Sequence, residues 1–71
     1  MYRDALSDQL RQIEREVVQG ERQLAAQEAR LVELKRLGDD TTAAEAELEI
    51  LRSDQRRREQ DRQGILLRLQ P

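Results

Sequence analysis

Cysteine, histidine, phenylalanine and tryptophan are absent from this 71-residue chain, and Tyr2 is its single aromatic residue. Without cysteine the chain has no disulfide, no thiolate zinc site and no cysteine nucleophile. Without histidine it lacks the commonest metal ligand and the commonest general base. It also has no nucleophile–base pair and no phosphate-binding glycine loop. We therefore expect a protein that is not an enzyme and that uses no cofactor, metal ion or small-molecule substrate.

Long apolar runs are missing as well. No segment approaches the roughly 20 apolar residues of a membrane-spanning helix, and the first residues lack the apolar segment of a signal peptide. These absences predict a cytoplasmic protein that makes no contact with a membrane. The only proline is Pro71, the last residue, so no proline interrupts a helix from within.

Charged residues, in contrast, make up 39% of the chain, with a net charge of −2. Both signs are mixed along the sequence, which is typical of solvated helix faces rather than of an acidic tail or a basic arm. Leucine, alanine, glutamate, glutamine and arginine dominate the composition as a whole, and all five favour helices. This composition predicts an all-α fold of the coiled-coil type.

A short polar segment that begins with Gly38 separates two long periodic segments. Glycine readily adopts the left-handed conformation that ends many helices. Thr42 and Glu45 have the spacing of a capping box, and Asp40 or Thr41 are alternative caps for the second helix. The pattern predicts one helical hairpin over residues 1–71, with helix 1 at about 3–37, a loop at 38–41 and helix 2 at about 42–69.

Aliphatic residues recur in both helices with the alternating spacing of three and four residues that is typical of coiled coils. One side of each helix therefore forms a continuous seam, which we expect to face the other helix. Polar residues interrupt the seam, chiefly in the middle of helix 2. The seam positions are Leu6, Leu10, Ile13, Val17, Gly20, Leu24, Gln27, Leu31 and Leu34 in helix 1, and Ala44, Leu48, Leu51, Gln55, Arg58, Arg62, Ile65 and Leu69 in helix 2.

Folding the chain back at the loop predicts a register in which Leu31 faces Leu51 and every seam residue from 13 to 34 has a seam residue opposite. Gln27 then faces Gln55, and a hydrogen bond between two buried amides would fix the register at some cost in stability. The same register predicts four ion pairs between the helices. These are Arg30 with Asp54, Glu16 with Arg68, Lys35 with Glu45, and Glu28 with Arg52.

Two helices alone leave much apolar surface exposed, so we expect self-association, as a homodimer that forms a four-helix bundle, or binding to another helical protein. In the predicted register Leu6 and Leu10 extend past the end of helix 2. Val18 and Val32 belong to a second, weaker apolar stripe on helix 1. The expected function is a non-enzymatic protein–protein interaction or assembly module. Its candidate interaction residues are Leu6, Leu10, Val18, Val32, Leu66 and Leu67.

The densest basic cluster, Arg56, Arg57 and Arg58 with Arg62, offers an alternative function as a nucleic-acid-associated regulator that contacts phosphates. Interspersed acidic residues, the negative net charge and the lack of aromatic residues for base stacking favour a solvated helix face instead. A membrane-surface helix ranks third because bulky apolar anchors are absent.

Two groups of glutamates are candidates for a carboxylate metal site, but bundles of that kind combine glutamate with histidine, which is absent. We favour the interpretation that these glutamates are charges beside the seam and acidic residues that stabilise the start of a helix. The loop aspartates do not match the twelve-residue calcium loop. Gly20, in the middle of helix 1, is either a hinge or contact point, or room for the Arg62 side chain. The glutamates are Glu14, Glu21 and Glu28, and Glu45, Glu47 and Glu49.

One pattern of the chain comprises Gly20-Glu21-Arg22, Gln27, Leu31, Leu34, Gly38-Asp39-Asp40-Thr41 and Ala44. In this pattern the chain resembles, over roughly residues 20–70, a group of short, uncharacterised helical-hairpin proteins of rhizobia and related alphaproteobacteria. The resemblance implies a bacterial helical hairpin and brings no established activity. Histidines that are frequent in that group are replaced here by Gln23 and Asp39, so no role for histidine carries over.

Overall fold

The computed structural model describes all 71 residues and consists of two antiparallel α-helices. Helix α1 spans Tyr2–Leu37 and helix α2 spans Thr42–Leu69. The Cα atoms extend over 55 Å in one direction and 14 Å in the other two. The predicted all-α antiparallel hairpin is therefore confirmed. Neither helix has an apolar segment long enough to cross a membrane.

Gly38 ends α1 in the left-handed conformation, with a φ of 73° and a ψ of 19°. Its N–H donates to the Lys35 carbonyl (3.1 Å), and the next N–H, that of Asp39, donates to the Leu34 carbonyl (2.9 Å). These two bonds satisfy carbonyls that have no partner within the helix and turn the chain back along α1.

Asp40, rather than Thr42 or Thr41, provides the side chain that stabilises the start of α2. Its Oδ1 accepts hydrogen bonds from the Thr42 N–H (3.0 Å) and the Thr42 hydroxyl (2.8 Å). These two hydrogen bonds, with the larger contribution from the backbone N–H, hold the pKa of Asp40 below its ordinary value. Thr41 makes no capping bond through its side chain. The capping box of Thr42 and Glu45 is not formed.

The register of the two helices differs from the predicted one by one heptad. Gly20 lies against Gln55, whereas the sequence pattern placed it against Arg62, seven residues further along α2. Arg62 instead contacts Glu14, with 3.6 Å between its Nε and the carboxylate. The prediction that Gln27 and Gln55 bond to each other is likewise wrong. Each amide donates to a backbone carbonyl of the opposite helix.

Greater overlap of the helices explains the shifted register. In the predicted register Leu6 and Leu10 have no partner because the chain ends too early. In the observed register they fall level with Leu69 and Ile65, and Leu6 is only 3% exposed. The tight turn after Gly38 permits the shift. It places the first residues of α2 beside a part of α1 that is closer to the N-terminus than in the predicted register.

The shift also removes the four ion pairs predicted between the helices, none of which is formed. Most of the ion pairs lie within one helix, three residues apart, such as Arg57 with Asp54 (3.1 Å). The pair of Arg62 with Glu14 is the only one that joins α1 to α2. Charge pairing at the flanks of the seam therefore contributes little to holding the helices together.

Candidate interaction surfaces

The seam between the helices forms the core of the hairpin, and every seam residue is buried or half-buried. Only six of 71 residues are buried, and no side chain is completely enclosed. Leu6 (3% exposed) and Leu48 (4%) are the most enclosed aliphatic side chains. Because two helices cover each other on one side only, the other seam aliphatics stay partly in contact with solvent. The hairpin thus offers partly exposed apolar edges along both of its broad faces.

Two glutamine side chains link the helices, each by a hydrogen bond to a backbone carbonyl of the opposite helix. The Gln27 amide donates to the Ala44 carbonyl (3.0 Å), and the Gln55 amide donates to the Val17 carbonyl (2.8 Å). Both side chains are buried, and no buried side-chain N or O atom lacks a hydrogen-bond partner. A carbonyl inside a helix has a second lone pair free for such a bond. These glutamines stabilise the hairpin without requiring a polar partner on the opposite helix.

Gly20 allows Gln55 to lie against the backbone of α1. A Cβ atom at position 20 would be 2.0 Å from the Gln55 Oε1 and 2.8 Å from an Arg58 nitrogen. Arg58 in turn donates to the Gln55 Oε1 at 3.3 Å. Gly20 therefore accommodates Gln55 and Arg58, and the interpretation of this glycine as room for Arg62 is wrong.

The apolar residues predicted to form an interaction surface at the open end are mostly taken up by the hairpin itself. Leu6 is enclosed by the seam, and Leu10 and Leu66 are half-buried. The prediction that Leu6 and Leu10 extend beyond α2 is wrong because the observed register provides partners for both. Leu67, which is 57% exposed, remains the accessible leucine of this group.

Val18 and Val32, in contrast, remain on the surface of α1. Val18 is 46% exposed and Val32 is 66% exposed, and Ala25, midway between them, is exposed too. Sequence reasoning did not single out two further aliphatics, Ile50 (62% exposed) and Leu37 (57%). Both lie off the heptad seam, and that position was the available sign of their exposure. They are isolated from each other, whereas the valines form a line along one helix.

An open groove on α1 surrounds Val18 and brings together charged residues of both signs. Sequence reasoning recognised the glutamates and the valines of this face but not its arginines. Their spacing was the missed signal, because Arg15 and Arg22 are one heptad apart. The groove is lined by Arg11, Glu14, Arg15, Val18, Gln19 and Arg22.

The arginines proposed for nucleic-acid binding do not share one free face. Arg56 pairs with Glu49 (3.5 Å), and Arg57 pairs with Asp54 (3.1 Å) on the exposed side of α2. Arg58 is half-buried in the seam beside Gln55. Arg62 pairs with Glu14, as described above. Each guanidinium is already engaged by an acid or an amide, so the geometry does not favour a phosphate-binding face.

The carboxylates predicted to have structural roles do not converge on a point. No group of three histidine, cysteine, aspartate or glutamate side chains is placed so that it could hold a metal ion. Among the exposed glutamates, Glu33 has its pKa held below the ordinary value by the hydrogen bonds that Arg36 donates. The rest of this surface consists of helix faces that carry charges of both signs and scattered aliphatic side chains.

Comparison of the chain with protein-family models, curated proteins and solved structures finds no match. The resemblance to rhizobial helical-hairpin proteins therefore stays a prediction.

Proposed function

We propose that this protein is a non-enzymatic interaction module that associates through its helix faces, with itself or with another helical protein. The observation that supports the proposal is the shallow core. No side chain is completely enclosed, and the seam aliphatics are half-buried along both broad faces. A second pair of helices laid on such a face would complete their burial. The resulting dimer would contain four helices.

The energetics of small domains support the same proposal. Helices gain most of their stability from burying an apolar face against other elements. Domains of this size rarely have a core large enough to be stable alone and are often supported by disulfides, metal ions or association. This chain has no cysteine and no cluster of metal ligands. Association is the remaining means of support, and the exposed valines of α1 provide apolar surface for it.

Sedimentation equilibrium and thermal melting followed by circular dichroism test this proposal. A protein that folds as it associates melts at a higher temperature as its concentration rises. We expect the melting temperature to increase from low to high micromolar concentration, together with a molecular mass of twice the chain mass of 8.3 kDa. A fully folded monomer with the same melting temperature at every concentration contradicts self-association. If the chain is such a monomer, the proposal requires that adding another helical protein converts the monomer into a complex of larger mass.

A further inference from the structure

Three parallel ridges run along the exposed side of α1 at heptad spacing. The middle ridge is apolar and consists of Val18, Ala25 and Val32. The ridge on one side of it is acidic and the ridge on the other side is basic. Residues three and four positions apart are neighbours on a helix, so each valine lies between an acidic position and a basic position. The acidic ridge is Glu14, Glu21 and Glu28 and is followed by Lys35, and the basic ridge is Arg15, Arg22 and Arg36 and is interrupted by Ala29.

The charges in the middle of this face are free to bind another molecule. Glu21, Glu28 and Arg22 form no ion pair and no side-chain hydrogen bond within the hairpin. Arg15 bonds to the neutral amide of Gln12 (2.7 Å) and to no acid. The face therefore combines exposed valines with unpaired charges of both signs, side by side.

We propose that a second copy of this chain docks on this three-ridge face, with the two α1 helices parallel about a two-fold axis along their length. This inference rests on the self-association in the proposed function, but it places the contact on the exposed side of α1, where it covers the valines rather than the half-buried seam aliphatics. A two-fold axis parallel to the helices brings the acidic ridge of each copy opposite the basic ridge of the other. Glu21 then faces Arg22 of the second copy, and Glu14, which also pairs with Arg62 of its own hairpin, faces its Arg15. The valines meet their own counterparts in between. The complementarity ends beyond Glu21, because Glu28 is level with Ala29 of the second copy and Lys35 with its Arg36.

The charges select the parallel orientation over the antiparallel one. In an antiparallel two-fold pair, each ridge faces the same ridge of the second copy. With Val18 opposite Val32, Glu21 would then oppose Glu28 and Arg15 would oppose Arg36, whereas Glu14 would meet Lys35. Like charges at neighbouring positions are destabilising. The parallel orientation gives each copy two opposite-charge contacts against the one like-charge contact of Lys35 with Arg36. The antiparallel orientation gives two like-charge contacts against one opposite-charge contact, so the charges favour the parallel pair.

The size of the face indicates a salt-sensitive association. From Val18 to Val32 the apolar ridge extends over roughly 21 Å at 1.5 Å per residue. Such a short line of small side chains contributes modest apolar burial, so the flanking ion pairs have a large share in the affinity. Exposed ion pairs are screened by salt. We expect the dimer to dissociate progressively as the salt concentration rises.

Cysteine cross-linking tests the orientation, since the natural chain has no cysteine. In the parallel dimer, Val18→Cys forms a disulfide with its own counterpart, and so does Val32→Cys. In an antiparallel dimer position 18 faces position 32, so a disulfide forms only when the two variants are mixed. Ile50→Cys is the matched control, because Ile50 is similarly exposed but lies on α2. A disulfide in the mixture alone, or equal cross-linking by Ile50→Cys, overturns the proposal.

Charge exchange tests the face independently. Glu21→Arg and Arg22→Glu each place like charges opposite each other in two symmetry-related pairs, so we expect about tenfold weaker association for each variant. Mixing the two variants restores opposite charges and should restore the dimer, and so should the double variant Glu21→Arg/Arg22→Glu. Glu16→Arg, on the other broad face, is the control and should leave association unchanged.

The result separates this inference from the proposed function on which it rests. If the natural chain dimerises but the charge variants associate as well as it does, the three-ridge face is not the interface, and self-association stands. If the natural chain is a monomer at all concentrations, both the dimer and its face are refuted. Neither Glu21 nor Arg22 makes an internal ion pair, so we expect each variant to remain helical. Circular dichroism of each variant checks this.

Discussion

Gly20 shows how one missing side chain can determine the contact between two helices. Glycine lowers the stability of a helix interior by roughly 0.5–1 kcal/mol relative to alanine. At this position its absence of a Cβ lets the Gln55 amide reach the Val17 carbonyl and lets Arg58 bond to the same amide. The local cost of glycine is offset by a buried side chain whose hydrogen bonds are satisfied.

Gly20→Ala should destabilise the hairpin by about 1 kcal/mol, because displacement of the buried Gln55 amide costs about 1–3 kcal/mol and outweighs the gain in helix propensity. Urea denaturation followed by circular dichroism measures the difference. Adding Gln55→Ala removes the collision, so the double variant should be more stable than Gly20→Ala alone. A single variant that is more stable than the natural chain would show that Gln55 moves aside at no cost.

The lowered pKa of Asp40 predicts that the stability of the hairpin depends on pH. Its pKa is lowered in the folded hairpin by the bonds from Thr42, so the unfolded chain binds a proton more readily than the folded one. The stabilisation is complete above the ordinary aspartate pKa of about 3.9 and is lost as the pH falls through the lowered value. Asp40→Ala should therefore be less stable than the natural chain near neutral pH and equally stable in strong acid. Asp39→Ala is the control, and a difference between Asp40→Ala and the natural chain that persists in strong acid argues against this assignment.

At the scale of the helices, the heptad pattern determined which side of each helix is buried but left the register open. Val17 and Leu24 illustrate the reason, because they occupy equivalent positions one heptad apart. A slide of seven residues keeps every seam position against a seam position. Two registers were therefore compatible with the pattern. Opposite charges at the flanks favoured the register that the structure does not have.

Paired cysteines provide a direct measurement of the register. In the observed register Leu24 is level with Leu51, since each is one helical turn from the contact of Gly20 with Gln55. The variant with cysteines at Leu24→Cys and Leu51→Cys should form an internal disulfide under mild oxidation. The variant with Leu31→Cys and Leu51→Cys, which suits the predicted register, should not, because a seven-residue displacement of about 10 Å exceeds the reach of a disulfide. Closure of the second pair alone would restore the predicted register.

At the scale of the whole molecule, the overlap of the helices closes the open end of the hairpin. Leu6, near the start of the chain, is among its most enclosed residues, and Leu67, near the end, is exposed. The two leucines therefore have different roles, although both were predicted to contribute to an interaction surface.

Leu6→Ala should destabilise the hairpin by about 2 kcal/mol, because it removes a buried aliphatic side chain and leaves a gap. Leu67→Ala should change the free energy of unfolding by less than about 0.5 kcal/mol, as is usual for an exposed position. Chemical denaturation of the two variants at the same protein concentration provides the comparison. Equal effects would indicate that the open end frays and that Leu6 spends much of its time in solvent.

The sequence by itself determined the elements of this protein. The lack of an internal proline allows two uninterrupted helices, Gly38 has the conformational freedom to reverse the chain, and the heptads define the seam. These are local properties that depend on neighbouring residues and on the periodicity of a helix. Only the tertiary structure decided which residues meet across the seam, because a repeating pattern has the same local signature in several registers. The choice among them depends on the total overlap of the helices, on the turn after Gly38 and on the fit of Gln55 against Gly20.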